Sequence, residues 1–131
     1  MRTVWAVAVG AALGGVARYY LGTAIQHRLG AGFPWGTLFI NVSGSLLVGA
    51  IVRYAFATPG MSVELRALLA TGFCGGYTTF STYSLETAIL LEEGRYERAV
   101  LYAFSSVLLA LVATACGFLL ARELITFRGR A

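Results

Sequence analysis

Phe80 and Tyr83 stand three residues apart, directly after a run that resists helix formation: Gly72-Phe73-Cys74-Gly75-Gly76-Tyr77-Thr78-Thr79. At helical spacing the two rings project from the same side. An aromatic edge carries partial positive charge, so two rings set edge-on can hold an anion weakly without a formal cation. Weak holding suits passage, because an ion bound too tightly does not leave. Paired glycines and paired β-branched threonines are poor helix formers. A helix broken in lipid leaves carbonyls in need of partners, and such breaks commonly line ion sites. A Phe/Tyr pair at this spacing is otherwise ordinary packing; its place beside the break gives it weight.

Other polar residues sit where lipid would disfavour them. Thr37, Asn41 and Ser45 recur every four residues and share one helix face. An amide at Asn41 has two donors to satisfy, either in a helix–helix hydrogen bond or toward a permeating anion. Asn41-Val42-Ser43 spells a glycosylation sequon, unreachable inside a spanning helix. Tyr102, Ser106 and Thr114 form a hydroxyl stripe with Ala110 in its gap. Single hydroxyls in membrane helices usually bond back to their own backbone; a stripe can replace an ion's hydration shell by stages. Ser81 and Thr82 add hydroxyls beside Phe80. Glu86 lies well inside an apolar segment, where a carboxylate is a functional candidate or a structural hydrogen-bond partner. Arg18 is either a snorkelling anchor or the lining of a water-filled vestibule that concentrates anions.

The elements that must position these residues follow from composition. Of 131 residues, 58% are hydrophobic and 12% charged, whereas a soluble domain has about a quarter charged. Every basic residue is arginine and every acid glutamate, with net charge +4. No basic run interleaved with aromatics points to nucleic acid; the excess suits interfacial anchoring. Cys74 and Cys116 lie in apolar stretches and show neither metal nor disulfide spacing. His27 is a lone histidine at a helix end, and no nucleophile constellation suggests an enzyme. Arg2, the apolar run 4–17 and Ala6-x-Ala8 mimic a signal peptide, but the apolar run continues past Arg18 and three more follow.

Four apolar segments can be drawn, about 4–26, 35–57, 64–91 and 96–124, each exceeding the ~20 residues that span a bilayer. They form a single domain over 1–131, an all-α membrane protein whose third helix is broken near its middle. Pro34 suits a helix start, Thr58-Pro59-Gly60 a turn, and Gly94 a helix stop. Short connections make neighbouring helices antiparallel and bring both termini to one side. Arg2, Arg53, Arg66, Arg122, Arg128 and Arg130 fall on that side, and Arg18, Arg28, Arg95 and Arg98 on the other. Such balance leaves open both a single orientation and insertion both ways as an antiparallel dimer. Ala6, Gly10, Gly14, Arg18 and Gly22 make a largely small-residue stripe suited to close helix contact, within the chain or between copies.

Together these residues resemble the Fluc (CrcB) family of small fluoride channels. The resemblance runs through Gly14-Gly15, Arg18-Tyr19, Pro34-Trp35-Gly36-Thr37-Leu38, Asn41 and, above all, the stretch from Gly72 to Glu86. It implies an antiparallel, dual-topology homodimer in the cell's inner (plasma) membrane, with two pores that passively export fluoride. It also implies a sodium ion at the dimer centre, held by the backbone carbonyls of Gly75 and Thr78. Phe80 and Asn41 match the family's pore residues, and Tyr102, Ser106 and Thr114 its polar track. Two departures stand out: Tyr83 replaces the usual second phenylalanine, and Ala110 replaces a frequent serine. A small proton-coupled multidrug antiporter is the nearest rival, but its chemistry needs a carboxylate in the first helix, which has none. A non-transporting assembly subunit would not need the broken helix.

Overall fold

The computed structural model describes residues 1–128, with Arg128 described by its backbone alone; Arg130, counted above among the arginines near the termini, lies outside the described residues. The chain opens with α1 (Arg2–Leu29) and α2 (Trp35–Phe56). A short α3 (Val63–Arg66) runs directly into a π-helical stretch, Ala67–Cys74, and the single turn α4 (Gly75–Tyr77). Thr78 and Thr79 are extended, α5 (Phe80–Glu92) resumes the helix, and α6 (Tyr96–Arg128) is the last described element. Among the described residues, three helical stretches are long and apolar enough to cross a membrane: Arg2–Leu29, Trp35–Ala57 and Tyr96–Phe127. The segment drawn from the sequence over about 64–91 as a broken third helix is, over residues 63–92, a composite of four short pieces interrupted at Thr78 and Thr79.

Local chemistry sets the boundaries. α1 runs to Leu29 because no glycine or proline intervenes after Gly22, and it ends at Gly30 with φ of 87°. Pro34 precedes α2 and its carbonyl accepts from the Leu38 amide at 3.2 Å. Ser62 caps α3 through the Leu65 amide. α5 ends in a Schellman turn: Gly94 takes φ of 72°, its amide bonds the Leu91 carbonyl, and the Arg95 amide bonds the Leu90 carbonyl.

Two glycine seams join the helices. A Cβ on Gly10 would overlap the Leu68 carbonyl and one on Gly14 the Phe73 carbonyl, while Gly72 and Gly76 meet the α1 backbone at Val7 and Ala11. The small-residue stripe of α1 is therefore spent inside the chain, backbone on backbone, against the π-helical stretch and α4. The second seam joins α2 and α6, with Gly49 against the Thr114 backbone and Gly117 against the Leu46 carbonyl. A small apolar core of Leu38, Leu90, Ala99 and Tyr102, with Phe33, Val42 and Tyr83 against it, ties α5 to α2 and α6. Most large apolar side chains, among them Trp5, Phe56, Phe104 and Leu111, face outward. Water would penalise such a surface; hydrocarbon suits it.

Candidate functional site

The break is held from two sides. Thr79 is extended, at φ −151° and ψ 114°, a conformation that points a residue's own N–H and C=O to the same edge. Asn41 on α2 meets both: its Nδ2 donates to the Thr79 carbonyl at 3.0 Å and its Oδ1 accepts from the Thr79 amide at 2.8 Å. From α1, Arg18 Nη1 donates to the Thr78 carbonyl at 3.2 Å. Each polar backbone group that the break releases costs several kcal/mol if left bare in lipid, so these two side chains offset what the interruption exposes. The Thr79 hydroxyl caps α5 by accepting from the Thr82 amide at 3.2 Å and lies 3.2 Å from the Ser81 hydroxyl. An unbroken helix would direct the Thr79 amide to the Gly75 carbonyl; with that amide taken by Asn41, the Gly75 carbonyl leaves the ladder.

Thr79 also divides two cavities. One, of about 450 Å³, is bordered by Asn41, Phe80, Tyr83, Ser106 and Ala110, together with Gly75 and Thr78. No charged side chain lines it among the described residues. The other, of about 620 Å³, is bordered by Arg18, His27, Thr37, Thr82 and Glu86. The candidate residues thus separate into a neutral chamber and a charged one. Ser81, Tyr102 and Thr114 border neither. Tyr102 is fully buried, and Thr114 bonds the Ala110 carbonyl at 3.0 Å and the Ser45 carbonyl at 3.3 Å.

Glu86 organises the charged chamber's wall. Its carboxylate accepts from the Tyr102 hydroxyl at 2.7 Å and from the Thr37 hydroxyl at 2.9 Å. Rings continue from the break to the α1–α2 turn: Phe80 to Tyr83 at 5.4 Å, Tyr83 to Tyr102 at 5.4 Å, and Tyr102 to Phe33 at 5.5 Å. The Tyr83 hydroxyl points to the Ala103 carbonyl on α6 at 3.4 Å, a long contact. Ser106 borders the neutral chamber, and its hydroxyl is buried and has no hydrogen-bond partner among the described residues.

Sequence reasoning missed Gln26. Its Nε2 donates to the Gly30 and Phe33 carbonyls at 2.7 and 3.0 Å, and its Oε1 accepts from the Gly36 amide at 3.0 Å. One side chain therefore fixes the α1–α2 turn, which borders the charged chamber. A glutamine one turn before a glycine stop was the available signal. Arg95 and Arg98, counted only for orientation, both donate to the Gly32 carbonyl and tie this turn to α6. For a metal, no group of three His, Cys, Asp or Glu gathers among the described residues. Among the break's carbonyls, that of Thr78 is held by Arg18, and that of Gly75 loses its helical donor because the Thr79 amide pairs with Asn41.

Outward-facing apolar helices around a polar, interrupted segment define a multi-pass membrane protein with an internal polar site. Residues 5–118 match the family model described as CrcB-like protein, Camphor Resistance (CrcB). The chain is 49% identical over 124 residues to a Geobacter sulfurreducens protein named Fluoride-specific ion channel FluC, covering 95% of this chain and 100% of that relative. It is 42% identical over 125 residues to a Rhizobium meliloti protein of the same name, covering 95% and 100%. A Thermus thermophilus protein, also so named, is 47% identical over 119 residues, covering 91% and 94%. The chain belongs to the CrcB family.

Proposed function

We propose that this chain is a fluoride-selective channel, not an enzyme, that passes fluoride passively out across the inner (plasma) membrane. The relatives' shared name supports the ion. The observation that carries the site is the Ser106 hydroxyl, buried and unpartnered on a chamber that also presents Asn41, Phe80 and Tyr83 and no charge. A buried hydroxyl without a partner is costly, and a passing anion or its water supplies one. Fluoride is small and strongly hydrated, so its path needs many neutral donors in sequence. Thr82, Ser81, the Phe80 and Tyr83 ring edges and Ser106 form that series, with Thr37, Tyr102 and Thr114 behind it; Arg18 and Glu86 border the entrance. At Ala110, water fills the gap in the hydroxyl track.

The working unit in this reading is an antiparallel, dual-topology homodimer with two paths, in which residues 63–92 act as a fourth crossing. The exposure of Phe80, at 77%, supports this: a ring beside the neutral chamber is left open by its own chain and needs a second surface to enclose it. A sodium ion at the dimer centre fits the Gly75 carbonyl, and it fits Thr78 where Arg18 yields; the ion would lend positive charge and tie the protomers. The experiment is efflux from liposomes loaded with fluoride or chloride. Rapid fluoride release with chloride retained is the expected result; tight vesicles, or equal release of both, would end the proposal.

A further inference from the structure

We infer that the groove between the C-terminal ends of α2 and α6 is a binding site for an anionic phospholipid, with Arg53 and Arg122 holding its phosphate and apolar walls taking the start of an acyl chain. The groove encloses about 330 Å³ and is lined by Val52, Arg53, Phe56, Phe118, Leu119 and Arg122. Its geometry follows from the second glycine seam. The Thr114 hydroxyl donates to the Ser45 carbonyl, Gly117 meets the Leu46 carbonyl, and residues 118–122 lie beside 52–56. Residue numbers on α2 and α6 therefore rise together, so the two helices run parallel and end at the same membrane face. Arg53 precedes the end of the span Trp35–Ala57, and Arg122 that of Tyr96–Phe127, by about one turn each. That depth keeps their stems in hydrocarbon and lifts both guanidinium groups to headgroup level. The inference does not depend on which ion the protein passes.

Charge selects the occupant. Neither arginine side chain has a hydrogen bond or an ion pair among the described residues, where the one ion pair joins Arg95 to Glu93. Arg95 and Arg98, near the opposite membrane face, are by contrast committed to the Gly32 carbonyl. No acid lines the groove. Glu123, next to Arg122 in sequence, borders a different cavity with Leu124, Thr126 and Phe127. Two like charges on one groove repel, and an anion between them removes that cost. Each helix end carries about half a negative charge, which two formal positive charges outweigh. A phosphodiester presents its oxygens to the planar fork of each guanidinium. Phe56 and Phe118 supply apolar wall, which an acyl chain covers and a free phosphate ion does not. A zwitterionic lipid brings its own ammonium beside the phosphate, so the site discriminates by net charge. Basic pockets between spanning helices bind anionic headgroups in this way. In the antiparallel dimer proposed above, the two grooves open to opposite leaflets and take one lipid each.

The test titrates the full-length protein in detergent with phosphatidylglycerol or phosphatidylcholine of identical acyl chains and counts retained lipid by native mass spectrometry. Each basic side chain contributes about fivefold, so phosphatidylglycerol should be held about twenty-five-fold more tightly. Arg53→Gln combined with Arg122→Gln should cut that preference by about tenfold or more. Arg2→Gln, on the same membrane side but outside the groove, should leave it unchanged. Phosphatidylglycerol carrying a photoactivatable acyl chain, cross-linked in vesicles and located by peptide mapping, should label residues 52–56 and 118–122. The cross-linking needs no variant, so it decides the matter even if the double substitution does not fold. Equal retention of the two lipids, labelling confined to other segments, or a preference that survives the double substitution would overturn the inference. Displacement of the lipid by inorganic phosphate would also overturn it, by reducing the groove to a bare anion site. A double variant that keeps the lipid preference but separates into monomers would do the same, by making the groove an interface between copies. Fluoride efflux is not among the readouts, so failure of the channel reading would leave this result standing.

Discussion

Arg18 reaches the carbonyl of Thr78 across sixty residues of sequence, with Nη1 3.2 Å from the oxygen. The guanidinium therefore occupies an oxygen that the proposed sodium ion would use. Removing it without adding bulk, as in Arg18→Gln, should increase sodium affinity by about tenfold, the equivalent of ~1.4 kcal/mol and close to the low end for a hydrogen bond to a charged group. The measurement is the sodium concentration at which the purified dimer survives dilution. A midpoint that does not move would show that Arg18 and the cation do not compete.

Ser106→Ala should separate activity from stability. The lost hydroxyl has no partner among the described residues, so its removal should leave the fold intact and stabilise it by about 1–3 kcal/mol, the desolvation cost of a bare buried hydroxyl. Fluoride efflux should fall about tenfold if one donor of the series is gone. Ser106→Thr, which keeps the hydroxyl, should retain most of the flux. Full flux in Ser106→Ala would take this residue off the path.

Tyr83→Phe keeps the ring and removes only its hydroxyl. The hydroxyl it removes points toward Ala103 over a long 3.4 Å contact, while the ring itself stays packed between Phe80 and Tyr102. Flux should stay within about twofold of the parent protein, since weak contacts of this length contribute little. A large change in either direction would mean that the hydroxyl handles the ion directly.

Tyr102→Phe addresses the Glu86 cluster. It leaves the carboxylate with Thr37 alone of its two hydroxyl donors, a loss of about 1.5–3 kcal/mol for a bond to a charged group. Thermal unfolding in detergent should register that loss, and a parent-like transition would show that water replaces the hydroxyl without cost.

Much of this was legible in the residues, and the rest was not for identifiable reasons. Long apolar runs with Pro34 and Gly94 at their edges marked the helices, because hydrophobic length and turn chemistry are local properties. The π-helical stretch Ala67–Cys74 left no such mark: its wider turn accompanies the glycine seam with α1, a tertiary relation. Asn41 was recognisable as a polar group needing partners, but that one of them is the Thr79 backbone depends on how α2 packs against the break. Thr114 looked like path lining by its spacing, yet it bonds backbone carbonyls, as isolated helix hydroxyls usually do. The separation of Arg18, Thr37 and Glu86 from Asn41, Phe80 and Ser106 depends on where one threonine falls between helices, which spacing along a single helix does not encode.

Gly72→Ala and Gly75→Ala should behave oppositely although they lie three residues apart. The added methyl at 72 meets the backbone of α1, whereas at 75 it enters open space. Overpacking of this kind costs about 1–3 kcal/mol or more, so Gly72→Ala should lose folded protein. Gly75→Ala should keep its helix content by circular dichroism and lose the dimer, if that face meets a second copy. Equal behaviour of the two would contradict either the seam or the open face.

Where main chain presses on main chain, no flexible side chain remains to absorb a change. Gly10, Gly14, Gly72 and Gly76 are locked against main chain in this way, so that flank of the molecule has no room for adjustment. Any retuning of throughput or ion preference by substitution must fall on the opposite rim, at side chains such as Tyr83 and Ala110, which border the neutral chamber without closing that contact.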